Sequence, residues 1–159
     1  MKYILTILIS AFYACPAMAA EHHKHRHVHG FEYGEPGDPA KLLREITIKI
    51  TDQGQKMLFE PAQIEVKRGE QIKFIVNNEG ALDHEFVLGT VASNLEHAKM
   101  MLAMPDMAHH DVNAAQVASG KSGTLVWRFS KAGVFDFSCL IPGHREAGMS
   151  GTILVKPAT

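Results

Sequence analysis

From Glu45 onward, apolar and polar residues alternate with the two-residue period of half-buried strands. Ile46, Ile48 and Ile50 interleave with Thr47, Lys49 and Thr51. Ile64 and Val66 flank Glu65 and lead into a turn at Arg68-Gly69-Glu70. Ile72, Phe74 and Val76 then resume the alternation, which stops at Asn77-Asn78-Glu79-Gly80. His84, Phe86 and Leu88 share one face of a further strand. Runs at 125–129, 134–138 and 152–155 complete the set, punctuated by Gly133 and Gly151. Short strands separated by turn signals predict an all-β, antiparallel sandwich. One stretch departs from this pattern. Across 93–107, Leu95, Ala98, Lys99, Met101 and Leu102 fit a short helix, with Ser93 or Asn94 as its cap and Pro105 as its terminator.

The residues before the strands read differently. Lys2, the apolar run from Ile4 to Phe12 and the small-x-small triplet Ala17-Met18-Ala19 predict a secretory signal peptide over 1–19. The run is too short to span a bilayer well, and no later segment is long and apolar enough, so no membrane insertion is expected. Residues 20–44 predict a flexible arm: His22, His23, His25, His27 and His29 crowd its start, and Gly30, Gly34, Pro36, Gly37 and Pro39 follow. That leaves 45–159 as one folded domain. The net charge of −1 lacks the basic excess of a nucleic-acid-binding domain.

Cleavage after Ala19 would remove Cys15 and leave Cys139 as the single cysteine of an exported, periplasmic chain. A lone exported cysteine is a buried thiol, a dimerising thiol or a metal ligand. Its neighbours favour the last. Cys139 ends one β-run, His144 follows five residues later, and Met149 follows five after that, just before another β-run. Pro142, Gly143 and Gly148 supply the turns that bend these three side chains toward one point. His84 offers a second imidazole from a separate strand. Two imidazoles, a thiolate and a weak thioether are the ligand set of a blue-copper electron-transfer site, in which soft sulfur suits Cu(I) and imidazole suits both oxidation states.

These pieces resemble the cupredoxin family of type 1 copper proteins: His84 late in an upstream strand, the C-x4-H-x4-M run from Cys139 to Met149, and the following Gly151-Thr152-Ile153-Leu154-Val155. The resemblance spans about 45–157, and the Ser138 to His144 run with the Met-rich insertion looks most like periplasmic copper-tolerance members. It implies a Greek-key β-sandwich with a short helix and a Met-rich loop inserted. It also implies one copper cycling between Cu(I) and Cu(II) on His84, Cys139, His144 and Met149. Many family members carry Asn or Ser after the first histidine, tying the two ligand loops together. Glu85 stands there in this chain, which leaves the potential and the blue or green colour open.

Two further segments are auxiliary metal candidates. Met100, Met101, Met104, Met107, His109 and His110 combine soft thioethers with imidazoles, although methionine at helical spacing also suits a core. In an extended arm His23, His25, His27 and His29 point the same way and can chelate a divalent ion in pairs, or the arm is simply a solvated, pH-dependent cation. The function expected is copper tolerance, electron transfer to a transient redox or copper-handling partner, or both. Leu140, Ile141, Pro142, Ala147 and Gly148 would form an apolar ring around His144 for docking. A copper chaperone without redox cycling uses the same ligands. An oxidoreductase enzyme fits less well, because the ligand set is saturated and only one β-domain is present.

Overall fold

The computed structural model describes residues 31–41, 43–53, 56–104 and 110–158. Along these run strands β1 (Gly34–Pro36), β2 (Arg44–Gln53), β3 (Lys56–Glu60), β4 (Gln63–Lys67), β5 (Gln71–Asn78) and β6 (His84–Gly89), helix α1 (Val91–Ala103), then β7 (Ala114–Val117), β8 (Ser122–Phe129), β9 (Gly133–Ser138) and β10 (Ser150–Lys156). They form two five-stranded sheets ordered β1-β8-β5-β2-β3 and β4-β10-β9-β6-β7. The chain crosses repeatedly between the layers, giving the all-β sandwich expected.

Alternation is what makes the two layers pack. On β5 every second residue is buried, placing Ile72, Phe74, Val76 and Asn78 on the inner face, and β4 buries Ile64 and Val66. Trp127, Phe129, Phe59, Phe86 and Phe137 fill the space between sheets. Phe59 meets Phe86 and Phe137 edge-on with ring centroids 5.8 and 5.4 Å apart, a favourable aromatic geometry.

Four expectations need correction. The sandwich is mixed rather than antiparallel, because β2 pairs with β5, and β4 with β10, in parallel. Part of the segment read as a flexible arm belongs to the fold. β1 pairs with β8, and Tyr33 is buried against Trp127 and donates its hydroxyl to the Leu88 carbonyl at 2.7 Å. The helix starts earlier than predicted. Thr90 is its cap and accepts from the Ser93 amide, while the Ser93 hydroxyl answers the Thr90 amide in a reciprocal box. Finally, β6 is buried on both faces rather than one, because α1 covers the side turned away from the core. The signal segment 1–19, the arm histidines and Pro105 lie outside the described residues. No described helix is long and apolar enough to cross a membrane.

Candidate metal centre

The centre lies where β6 and β9 meet at one end of the second sheet. Their antiparallel register sets Val87 opposite Ser138 and Leu88 opposite Phe137. The start of β6, His84, therefore runs beside the residues that leave β9, beginning with Cys139. The segment 139–149 then folds back on itself. The Cys139 amide donates to the Met149 carbonyl and the Met149 amide to the His144 carbonyl, each at 3.1 Å, and the His144 amide donates to Ile141 at 3.0 Å. Gly143 and Gly148 hold φ of +87° and +112°, values that side-chain-bearing residues rarely adopt. β3 buttresses the loop from outside through the Met57 amide, which donates to the Ala147 carbonyl at 3.2 Å.

As a result, ligand atoms of His84, Cys139 and His144 all lie within 4.8 Å of one another. The two Nδ1 atoms are 3.1 Å apart, and Cys139 Sγ is 3.3 Å from His144 Nδ1. Donors about 2.0–2.3 Å from a shared ion sit roughly 3.5 Å apart in a trigonal plane, so this trio fits a single metal. Among the described residues, His, Cys, Asp and Glu side chains form such a cluster here alone. Met149, the last residue of this loop, is fully buried, and its backbone is hydrogen-bonded to both Cys139 and His144.

The local electrostatics suit a cation. Burial pushes the Cys139 thiol up to about 12. The backbone amides of Glu85 and Ile141 point at the sulfur and oppose that rise, while the carboxylates of Glu85 and Asp52 add to it. A thiolate here is therefore stable only with positive charge beside it. His144 is held below the usual imidazole value, first by burial and then by His84, with Asp52 opposing.

Three surrounding groups complete the site, and of these the sequence singled out only Glu85. His84 Nε2 lies 2.8 Å from Asp52 Oδ1 at the end of β2. Burial would raise the Asp52 carboxyl, but the Leu82 amide, His84 and the Ala81 amide together hold it below the usual carboxylate range. Glu85, noted as a departure from the family pattern, performs the tie between loops itself: its Oε1 accepts from the Leu140 amide at 2.9 Å. Arg145, next to His144, forms a two-point ion pair with buried Asp136 at 2.8 and 3.2 Å, and Asn94 of α1 and Ser138 both donate to the same carboxylate at 2.7 Å. Asp52 did leave a trace in sequence. It continues the inward-facing series Ile46, Ile48, Ile50 on β2, and an acid at such a position asks for a partner.

Of the remaining described candidates, Met100 and His110 line one cavity and Met101 another. Met100 and Met104 are exposed one turn apart at the end of α1, whereas Met101 lines a separate groove with His84, Glu85 and Ile141. His110 lines a cavity of about 800 Å³ with Met100, His97 and Asp111. His22, His23, His25, His27, His29, Met107 and His109 lie outside the described residues. The expected apolar ring loses a member, because Leu140 is buried.

Residues 46–156 match the family of copper binding proteins described as the plastocyanin/azurin family. The copper-resistant cuproprotein CopI of Rubrivivax gelatinosus is 47% identical, with 94% of each chain covered. The CopI of Pseudomonas aeruginosa is 37% identical over 81% of this chain and 85% of its own. In fold, a solved structure of auracyanin B superposes with a TM-score of 0.60 at 23% identity, covering 80% of this chain and 97% of that one.

Proposed function

Because the chain belongs to the plastocyanin/azurin family of copper-binding proteins and is a relative of the copper-resistant CopI cuproproteins, we propose that it is a periplasmic copper-tolerance protein with one redox-active type 1 site. The observation that carries this reading is the convergence of His84, Cys139 and His144 ligand atoms within 4.8 Å in a buried pocket. His84, Cys139 and His144 would hold the ion, with Met149 as a further, weaker donor. Copper supplies the one-electron couple. The protein supplies a ligand frame anchored by two strands and a self-bonded loop, which keeps ligand movement small as the charge changes.

Export follows from the leader over 1–19. The arm histidines and the Met/His segment would offer auxiliary copper ligands, which a tolerance role could use and an electron carrier alone does not need. A transient partner docks at the loop surface around His144, which is 9% exposed beside exposed Pro142 and half-buried Ile141 and Ala147. A ligand set completed by Met149 would leave no coordination position for a substrate, which favours a binding or electron-transfer role over an enzymatic one. Deleting the chromosomal gene should impair growth in added copper. Unchanged growth would leave the electron carrier without the tolerance role.

The axial assignment has its own outcome. Met149→Leu should retain copper and raise the reduction potential, because removing a donor disfavours the more highly charged Cu(II). Voltammetry of the purified variant reads this directly, and a lowered potential would remove Met149 from the ligand set.

A further inference from the structure

Asp52 stands in an unusual relation to the metal centre. It lies 32 residues before His84 on the opposite sheet, yet its Oδ1 is 2.8 Å from His84 Nε2, while Oδ2 accepts from the Ala81 and Leu82 amides at 2.7 and 3.1 Å. Those two amides come from the turn that delivers the chain into β6. Gly80 packs so closely on the carboxylate that any Cβ there would overlap it. The carboxylate is thus clamped from the backbone side and has one oxygen left, aimed at the imidazole of a fully buried side chain.

Building on the copper reading above, we infer that Asp52 is a positioning residue that fixes the His84 tautomer and tunes the copper couple. Asp52 can only accept, so His84 must donate from Nε2. Its proton then sits on Nε2, and Nδ1 is left bare, facing His144 Nδ1 across 3.1 Å. The ligand is set before metal arrives. The carboxylate's charge, passed through the ring, also makes Nδ1 more basic and favours Cu(II) over Cu(I).

The clamp makes the amide variant informative. In Asp52→Asn the side-chain oxygen is retained by the two backbone donors, which leaves the NH2 group facing His84 Nε2. That nitrogen must then accept, and the proton moves to Nδ1, where it blocks the metal. Asp52→Ala removes the charge without imposing the wrong tautomer. An isosteric change should therefore be worse than truncation, the reverse of what packing alone gives.

The test begins with long-range proton–nitrogen correlation NMR on the metal-free full chain, at a pH where both imidazoles are neutral. Wild type should show His84 protonated on Nε2, and Asp52→Asn should show it protonated on Nδ1. Copper titration should then give at least about a tenfold loss of Cu(II) affinity for Asp52→Asn and a smaller loss for Asp52→Ala. For Asp52→Ala the potential should rise, by about 59 mV for each tenfold by which Cu(II) binding weakens more than Cu(I) binding. Wild-type His84 protonated on Nδ1, or equal losses in the two variants, overturns the inference. A wild-type chain that never develops thiolate-to-copper absorption overturns the copper reading instead, so the two failures are distinguishable.

Discussion

Cys139→Ser should abolish the intense visible absorption of the copper-loaded protein while leaving the fold intact. The band arises from charge transfer between a thiolate and Cu(II), and serine offers no comparable donor. Cys139 is fully buried, and it is the free cysteine among the described residues, with no disulfide to lose. Its amide still donates to the Met149 carbonyl in the variant, so the loop keeps its closure. Oxygen is smaller than sulfur and the hydroxyl keeps a donor and an acceptor, so the apo protein should unfold at nearly the wild-type denaturant concentration. Copper bound at that point would lie between two imidazoles without soft sulfur in the plane, and the stabilisation of Cu(I) would drop sharply. Visible spectra at equal copper loading decide the matter, and a surviving band would remove Cys139 from the ligand set.

Asp136→Ala should be the most destabilising single change near the centre, at about 3–5 kcal/mol, the usual result of stripping one partner from a buried ion pair. Asp136 is buried and serves Arg145, Asn94 and Ser138 at once. Without it the Arg145 guanidinium, with only 16% of its side chain exposed, keeps its charge and loses its counter-ion. Asn94, the buried residue of α1, would lose its contact with β9, and the helix its main polar anchor to the sheet. Because Arg145 adjoins His144, the copper loop should loosen along with the fold. Urea unfolding of the metal-free protein measures the effect. A loss within about 1 kcal/mol would place the network among ion pairs of little net value.

The ligand loop was legible because its chemistry is local. Cys139, His144 and Met149 stand at even intervals, with Pro142, Gly143 and Gly148 between them, and a short self-bonded loop brings them together. His84 was legible for a different reason: it opens a run whose Phe86 and Leu88 mark one face of a strand. Asp52 was not, because its partner is 32 positions away and only the packing of the two sheets against each other brings them together. Pairing direction was equally hidden. The alternation in β2 and β5 gives the same pattern whether the strands run parallel or opposed. β1 was read as arm because Gly34 and Pro36 look like turn residues. In the fold Gly34 is there because a side chain would collide with Trp127 and the Arg128 backbone. β7 offers only Ala115 and Val117 as buried positions, and β3 is five residues long, so neither produced enough periodicity to stand out.

X-ray absorption at the copper edge, on the purified full chain loaded with a single equivalent, tests the shared-ion claim most directly. One short sulfur and two imidazole nitrogens around each copper is the predicted shell. A shell of nitrogen and oxygen alone would put the metal elsewhere in the chain and contradict the convergence of His84, Cys139 and His144 on it.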